Sequence, residues 1–157
     1  ITIVENSKEG KQINDPSKFY VSDMFQNVIY KISESNEVSV LAKDIGYPNS
    51  LVVDYWGRVL FTTTPLKSSN DYLITQPQLI AINPKTGVHK ALFSFNMSYD
   101  DADTGLGYIL SADERGTISL PISFRIDAVL YDDLKNFEYV FVNNHAGKLE
   151  NLSGKLE

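Results

Sequence analysis

A pattern of short strand-like runs recurs in this chain at a spacing of about forty residues. That repeat limits the folds open to it more than any other feature. Tyr20-Val21-Ser22-Asp23 matches Leu60-Phe61-Thr62-Thr63, forty positions on. Val28–Ile32 then aligns with Gln78–Ile82 across a longer intervening loop, and Val38–Leu41 aligns with Val88–Leu92. The clearest single copy is Tyr47–Thr64. Tyr47-Pro48-Asn49-Ser50 is turn chemistry, because proline fixes φ and asparagine can bond its own backbone. Leu51-Val52-Val53 is a continuous apolar run, as expected of a strand covered on both faces. Asp54-Tyr55-Trp56-Gly57 reads as a corner, with Gly57 free to take a positive φ. Val59-Leu60-Phe61 and Thr62-Thr63-Thr64 resume as an aromatic and β-branched strand.

Ile1–Val4, Phe19–Asp23 and Val88–Phe93 are further candidate strands, and Asn83-Pro84-Lys85-Thr86-Gly87 is a hairpin turn. Helical periodicity is scarce, with a single turn expected at Asp132–Asn136. A forty-residue unit of four short strands has the dimensions of a β-propeller blade, a meander that buries its faces against its neighbours. The fold class expected is therefore all-β: four-stranded antiparallel meanders in one propeller-type domain over 1–157, with units near 1–45, 46–95 and 96–157, in a partial or incomplete ring. An irregular β-sandwich is the alternative. The third unit admits two registers. Leu110–Ile118 matches Leu51–Val59 through its D-x-x-G corner, and Asp127–Asp132 matches Asn49–Asp54 equally well.

Phe19–Ile32 (F-Y-V-S-D-M-F-Q-N-V-I-Y-K-I) and Gly46–Thr62 (G-Y-P-N-S-L-V-V-D-Y-W-G-R-V-L-F-T) resemble successive blade elements of the NHL-repeat and regucalcin/gluconolactonase-like propellers. The resemblance covers Phe19–Phe93 well and the last third loosely. It implies a ring of more blades than 157 residues supply, completed by further chain or by another chain as partner. It also implies that Asn49, which matches the metal-ligating position of the hydrolases, would hold a divalent cation such as Ca²⁺, with Asp127 its equivalent on one register. Ser50 stands where those hydrolases have glycine, and Glu5 is a distant counterpart of their early-blade glutamate. Hard oxygen ligands suit Ca²⁺, and a bound ion acidifies water for ester hydrolysis.

Composition narrows the function classes. A net charge of −6, with only three lysines in the densest basic stretch, Lys8–Lys18, argues against nucleic acid or an anionic membrane as partner. No apolar run approaches the roughly 18 to 20 residues of a spanning helix. The chain has no cysteine, which removes disulfides, thiol nucleophiles and Cys-bound metals. Asn96 and Asn151 head N-glycosylation sequons compatible with secretion. Asp101–Gly105 begins like a calcium loop, but position twelve is Ala112, so an EF-hand fails. No G-x-S-x-G elbow is present. His89 is expected on an exposed outer strand.

Tyr47, Tyr55 and Trp56 cluster with Phe25 around expected corners, where aromatics either pack between blades or wall a ligand pocket. His145 lies in a turn, Asn143–Gly147, fit to line a channel mouth. Two functions follow. One is a non-enzymatic secreted propeller that binds a small or hydrophobic ligand or a protein partner, of the general kind of the insect pigment-binding and royal-jelly proteins, with Tyr47, Tyr55, Trp56 and His145 at the site. The other is a metal-dependent lactonase or esterase centred on Asn49 and Asp127.

Overall fold

The computed structural model describes residues 1–6, 13–54, 56–70 and 72–94, with backbone alone for 93–94. Beyond these it describes the backbone of five strands at 111–112, 117–119, 126–129, 139–143 and 150–154. Every regular element among the described residues is a strand.

The first sheet contains β1 (Thr2–Glu5), β2 (Phe19–Asp23), β3 (Val28–Ile32) and β4 (Val38–Lys43), paired antiparallel in chain order. The second repeats this plan with β5 (Pro48–Val53), β6 (Val59–Thr63), β7 (Gln78–Ile82) and β8 (His89–Ser94). Both are meanders, and the equivalences read from the repeat pair β2 with β6, β3 with β7 and β4 with β8. A third sheet holds β9 (Ser111–Ala112), β10 (Thr117–Ser119), β11 (Ile126–Val129), β12 (Tyr139–Asn143) and β13 (Glu150–Gly154), five strands where four were expected. β9 and β10 pair across the residues of the D-x-x-G corner, as β5 and β6 pair across theirs. β11 and β12 pair across the residues of the second register in the same way, so the one sheet holds the strands of both. The helical turn expected at 132–136 lies outside the described residues.

Turn chemistry explains the tight connections. Between β7 and β8, Asn83 Oδ1 accepts hydrogen bonds from the amides of Lys85 and Thr86, Asn83 N donates to Val88 O, and Gly87 takes φ +76°. Between β3 and β4, Asn36 at φ +63° does the equivalent work, a conformation asparagine tolerates better than most residues.

The core lies between the first two sheets. Tyr20 and Ile29 of one meet Leu51, Val59, Phe61, Ile80 and Ile82 of the other, with Ile45 from the connecting loop. Val59 pairs with Ile82 and Phe61 with Ile80, so these four share one face of the second sheet. The opposite face is buried as well, since Leu60, Thr62, Leu79 and Ala81 are at most 1% exposed. The strand covered on both faces is therefore β6, not β5. Val52 and Val53 are only half-buried because β5 is the edge of its sheet and has a strand on one side alone. Ile32 is also half-buried, at the end of β3. β4 carries exposed Val38 and Val40 on an outer edge.

A polar clamp joins the sheets beside this core. Asp15, only 3% exposed, accepts hydrogen bonds from the Tyr20 hydroxyl at 2.8 Å, Lys31 Nζ at 2.9 Å and the Ser17 amide at 3.2 Å. Lys31 Nζ also donates to Pro84 O at 2.9 Å, reaching from β3 to the turn between β7 and β8. Burial pushes the Asp15 carboxyl up, but the bonds from Ser17, Lys31 and Tyr20 and the Lys31 charge outweigh it and hold the group below its ordinary range. Burial, and then the carboxylate itself, raise the Tyr20 hydroxyl.

Candidate functional site

The connection from β4 to β5, Asp44–Tyr47, is unusual in its backbone. Asp44, Gly46 and Tyr47 all have positive φ, at +55°, +88° and +55°. For a tyrosine this left-handed conformation costs about 1–2 kcal/mol. It is held by Asn27, whose Oδ1 accepts from Tyr47 N at 2.7 Å and Ile45 N at 3.1 Å, while Asn27 O accepts from Asp44 N. From the other side, Thr64 N donates to the carbonyls of Gly46 and Tyr47, and Thr64 Oγ1 donates to Tyr47 O at 2.8 Å. Gly46 is required twice over, by its φ and because a Cβ there would lie 2.9 Å from Thr63 Cγ2.

This strained loop forms one wall of a cleft of about 460 Å³, with Ile45, Gly46 and Tyr47 on that side. Thr63 of β6, Thr64 just after it, and Gln78 and Ile80 of β7 line it too, and His89 comes from β8. Leu66, Thr75 and Gln76 of the β6–β7 connection complete the lining. That connection is braced by a bridge between Lys67 and Leu73, by Ile74 N to Leu66 O at 2.7 Å, and by Leu66 N to Thr75 Oγ1 at 2.9 Å. Asp, Glu, Lys and Arg do not occur among the lining residues. Tyr47 keeps 38% of its surface exposed.

The corner after β5 is a packed unit of another kind. Asp54 Oδ1 accepts from the amides of Trp56 at 3.0 Å and Arg58 at 2.8 Å, and Asp54 Oδ2 accepts from Arg58 Nε at 2.8 Å. Both side chains of the ion pair are fully buried, and the guanidinium lies 5.0 Å from the centroid of the Trp56 ring. Burial pushes the Asp54 carboxyl above its ordinary range, against the pull of Arg58 and the amides. Ile13 N donates to Trp56 O, so the corner also anchors the long loop of the first sheet.

Of the described residues singled out in the sequence, Tyr47 and His89 line the cleft, and His89 is exposed on the outer strand β8 as expected. Trp56 is buried against Arg58 and belongs to the corner. Phe25, expected either to pack or to wall a pocket, is 84% exposed at the β2–β3 turn and does not line the cleft. Asn49 is half-buried in β5, and its carbonyl accepts from Ser22 Oγ at 2.9 Å, tying β2 to β5. Glu5 ends β1 with its side chain exposed. Asp127 is placed by backbone alone in β11, third from the β9 edge of its sheet, whereas Asn49 sits in an edge strand. Among the described residues no group of three His, Asp or Glu side chains could hold a metal ion. Tyr55, His145 and Asn96 lie outside the described residues, and Asn151 is placed by backbone alone in β13.

Sequence reasoning did not single out Asn27, Thr63, Gln78 or the Asp15 clamp. Asn27 carried a signal, since asparagine at the end of a turn is a residue for positive φ, and it stands at +53° just before β3. Nothing local distinguishes Thr63 or Gln78. No protein-family model matches the chain, and no significant match was found among curated proteins.

Proposed function

We propose that this chain is a non-catalytic, secreted binding module built from β-propeller-type blades, and that a small uncharged ligand occupies the Tyr47 cleft. The observation that carries the reading is the pairing of that cleft with a strained tyrosine in its wall. Backbone strain of this kind persists only where surrounding contacts over-determine it, and such positions cluster at binding sites. Here the hydrogen bonds from Asn27 and Thr64 supply the over-determination and hold Tyr47 ready. A volume of about 460 Å³ falls within the range of about 300–1,000 Å³ common to small-molecule sites. Apolar Ile45, Leu66 and Ile80 combine with a few polar groups, as such sites require.

Support for the blade reading comes from the arrangement of first strands. β5 lies against β1 and β2, and β9 approaches β5. Consecutive meanders therefore adjoin through their first strands, as blades do around an axis. On this reading further blades, in this chain or in another, complete the ring.

The test is ligand-observed NMR with small neutral probes, beginning with indole, on the purified protein and on Tyr47→Ala. Binding to the wild type that is lost in the variant supports the site; equal binding to both refutes it. Secretion is tested separately, by a mobility shift on enzymatic deglycosylation that disappears when Asn96 and Asn151 are replaced by Gln.

A further inference from the structure

We infer that the ligand class of this cleft is a neutral saccharide, a pyranose ring or a short glycan end; the inference rests on the binding-site reading above. Three features of the lining converge on this chemistry.

The first is charge. With no Asp, Glu, Lys or Arg in the lining, an ammonium ligand would leave water without a counter-charge, and a phosphate or carboxylate would find His89 alone. The second is the hydrogen-bonding character of the polar groups. Sugar hydroxyls each donate and accept, so they need partners of both kinds at close spacing. Thr63 Oγ1 accepts from Gln78 N at 2.8 Å and Thr75 Oγ1 accepts from Leu66 N at 2.9 Å, so each keeps its O–H to donate. Thr64 Oγ1 donates to Tyr47 O at 2.8 Å and keeps lone pairs to accept. The side chains of Gln78 and Tyr47 make no hydrogen bond among the described residues. The amide offers two donors and an acceptor, and the phenol one of each.

The third is shape. Tyr47 presents a part-exposed aromatic ring at one wall, and Ile45, Leu66 and Ile80 supply apolar surface. A pyranose has just this division, with hydroxyls around its rim and C–H groups on its faces, and an aromatic ring with a polar tip suits both. A wholly apolar ligand would desolvate the Gln78 amide without pairing it and give the Thr63 and Thr75 O–H groups no acceptor, which disfavours it.

The experiment is ligand-observed NMR and isothermal titration with methyl β-D-glucopyranoside, methyl β-D-galactopyranoside, methyl α-D-mannopyranoside and N-acetylglucosamine, with indole run in parallel. At least one saccharide should bind, with little change between low and high salt. Gln78→Ala and Tyr47→Ala should each weaken it about tenfold or more, while Tyr47→Phe, which keeps the ring, weakens it less. Phe25→Ala, outside the cleft, should leave binding unchanged. Circular dichroism confirms the fold of each variant. If no saccharide binds and indole still binds in a Tyr47-dependent manner, the saccharide inference is overturned and the binding site stands. If neither binds, both are overturned. Saccharide binding that survives both alanine variants, or collapses in high salt, also overturns the inference.

Discussion

The Asp54–Arg58 pair offers the most quantitative test of how this fold is held. Both side chains are fully buried, and the carboxylate accepts three hydrogen bonds at 2.8–3.0 Å, one from the guanidinium and two from corner amides. Two unit charges about 4 Å apart attract by about 4 kcal/mol at an effective dielectric near 20. Desolvating each ion costs several kcal/mol, so the pair as a whole contributes little. Breaking it is different, because a buried charge is then left without its counter-ion. Asp54→Asn should keep an acceptor for the corner amides yet strand the Arg58 charge, at a cost of about 3–5 kcal/mol. For a chain of this length that is a fall in Tm of about 6–20 °C. Arg58→Met should cost less, because the remaining carboxyl can take up a proton. Its burial already raises it, so its contribution is full below the unfolded value near 3.8 and is lost as pH rises through the folded value. Without Arg58 that loss shifts to higher pH, so the gap between wild type and Arg58→Met should widen as pH rises above the wild-type folded value. The double variant Asp54→Asn/Arg58→Met buries no charge and should lie within about 2 kcal/mol of wild type. Urea denaturation of all four proteins, with m-values compared, gives the coupling energy. A cost below about 1 kcal/mol for Asp54→Asn, or a double variant equal to the sum of the singles, would refute the reasoning.

Phe61→Ala removes a ring with no exposure at the centre of the core and should cost about 3–5 kcal/mol in urea denaturation, whereas Val52→Ala in the half-buried edge strand should cost about 1 kcal/mol or less. Asp15 is held below its unfolded value, so its contribution is present above about pH 4 and disappears as pH falls through the folded value; Asp15→Asn should flatten the acid limb of the stability–pH curve, and an unchanged limb would remove the clamp from the account. Asn27→Ala deprives the Ile45 and Tyr47 amides of their acceptor and should lower Tm while weakening any ligand of the cleft; retention of full affinity would show that Tyr47 does not need holding. A stepwise calcium titration should leave Tm unmoved in the non-catalytic reading, and a concentration-dependent rise abolished by Asn49→Ala would establish a cation site instead.

What was legible in the sequence was local. A strand announces itself by β-branched and aromatic runs, and a turn by residues that tolerate its dihedrals, so β2 to β8 and the Asn83–Gly87 turn could be read from neighbours in the chain, except that Pro48–Ser50, expected as turn, begin β5 through an irregular register. The repeat added the pairing order, because segments that match at a fixed offset occupy matching places in successive sheets. Composition could not say which of two similar apolar runs is covered on both faces. Leu51-Val52-Val53 and Val59-Leu60-Phe61 have the same character, and only strand order puts β5 at an edge and β6 inside. The site is the same problem at longer range. Asn27 reaches the amides of residues 18 and 20 positions on, Thr63 takes the Gln78 amide across 15, and Lys31 meets Pro84 across 53. Each of these residues is ordinary in its own neighbourhood. They become a braced tyrosine, a polar cleft and a clamp only when strands pair within each meander and the two meanders pack, because that pairing and packing set the hydrogen-bond geometry between distant segments.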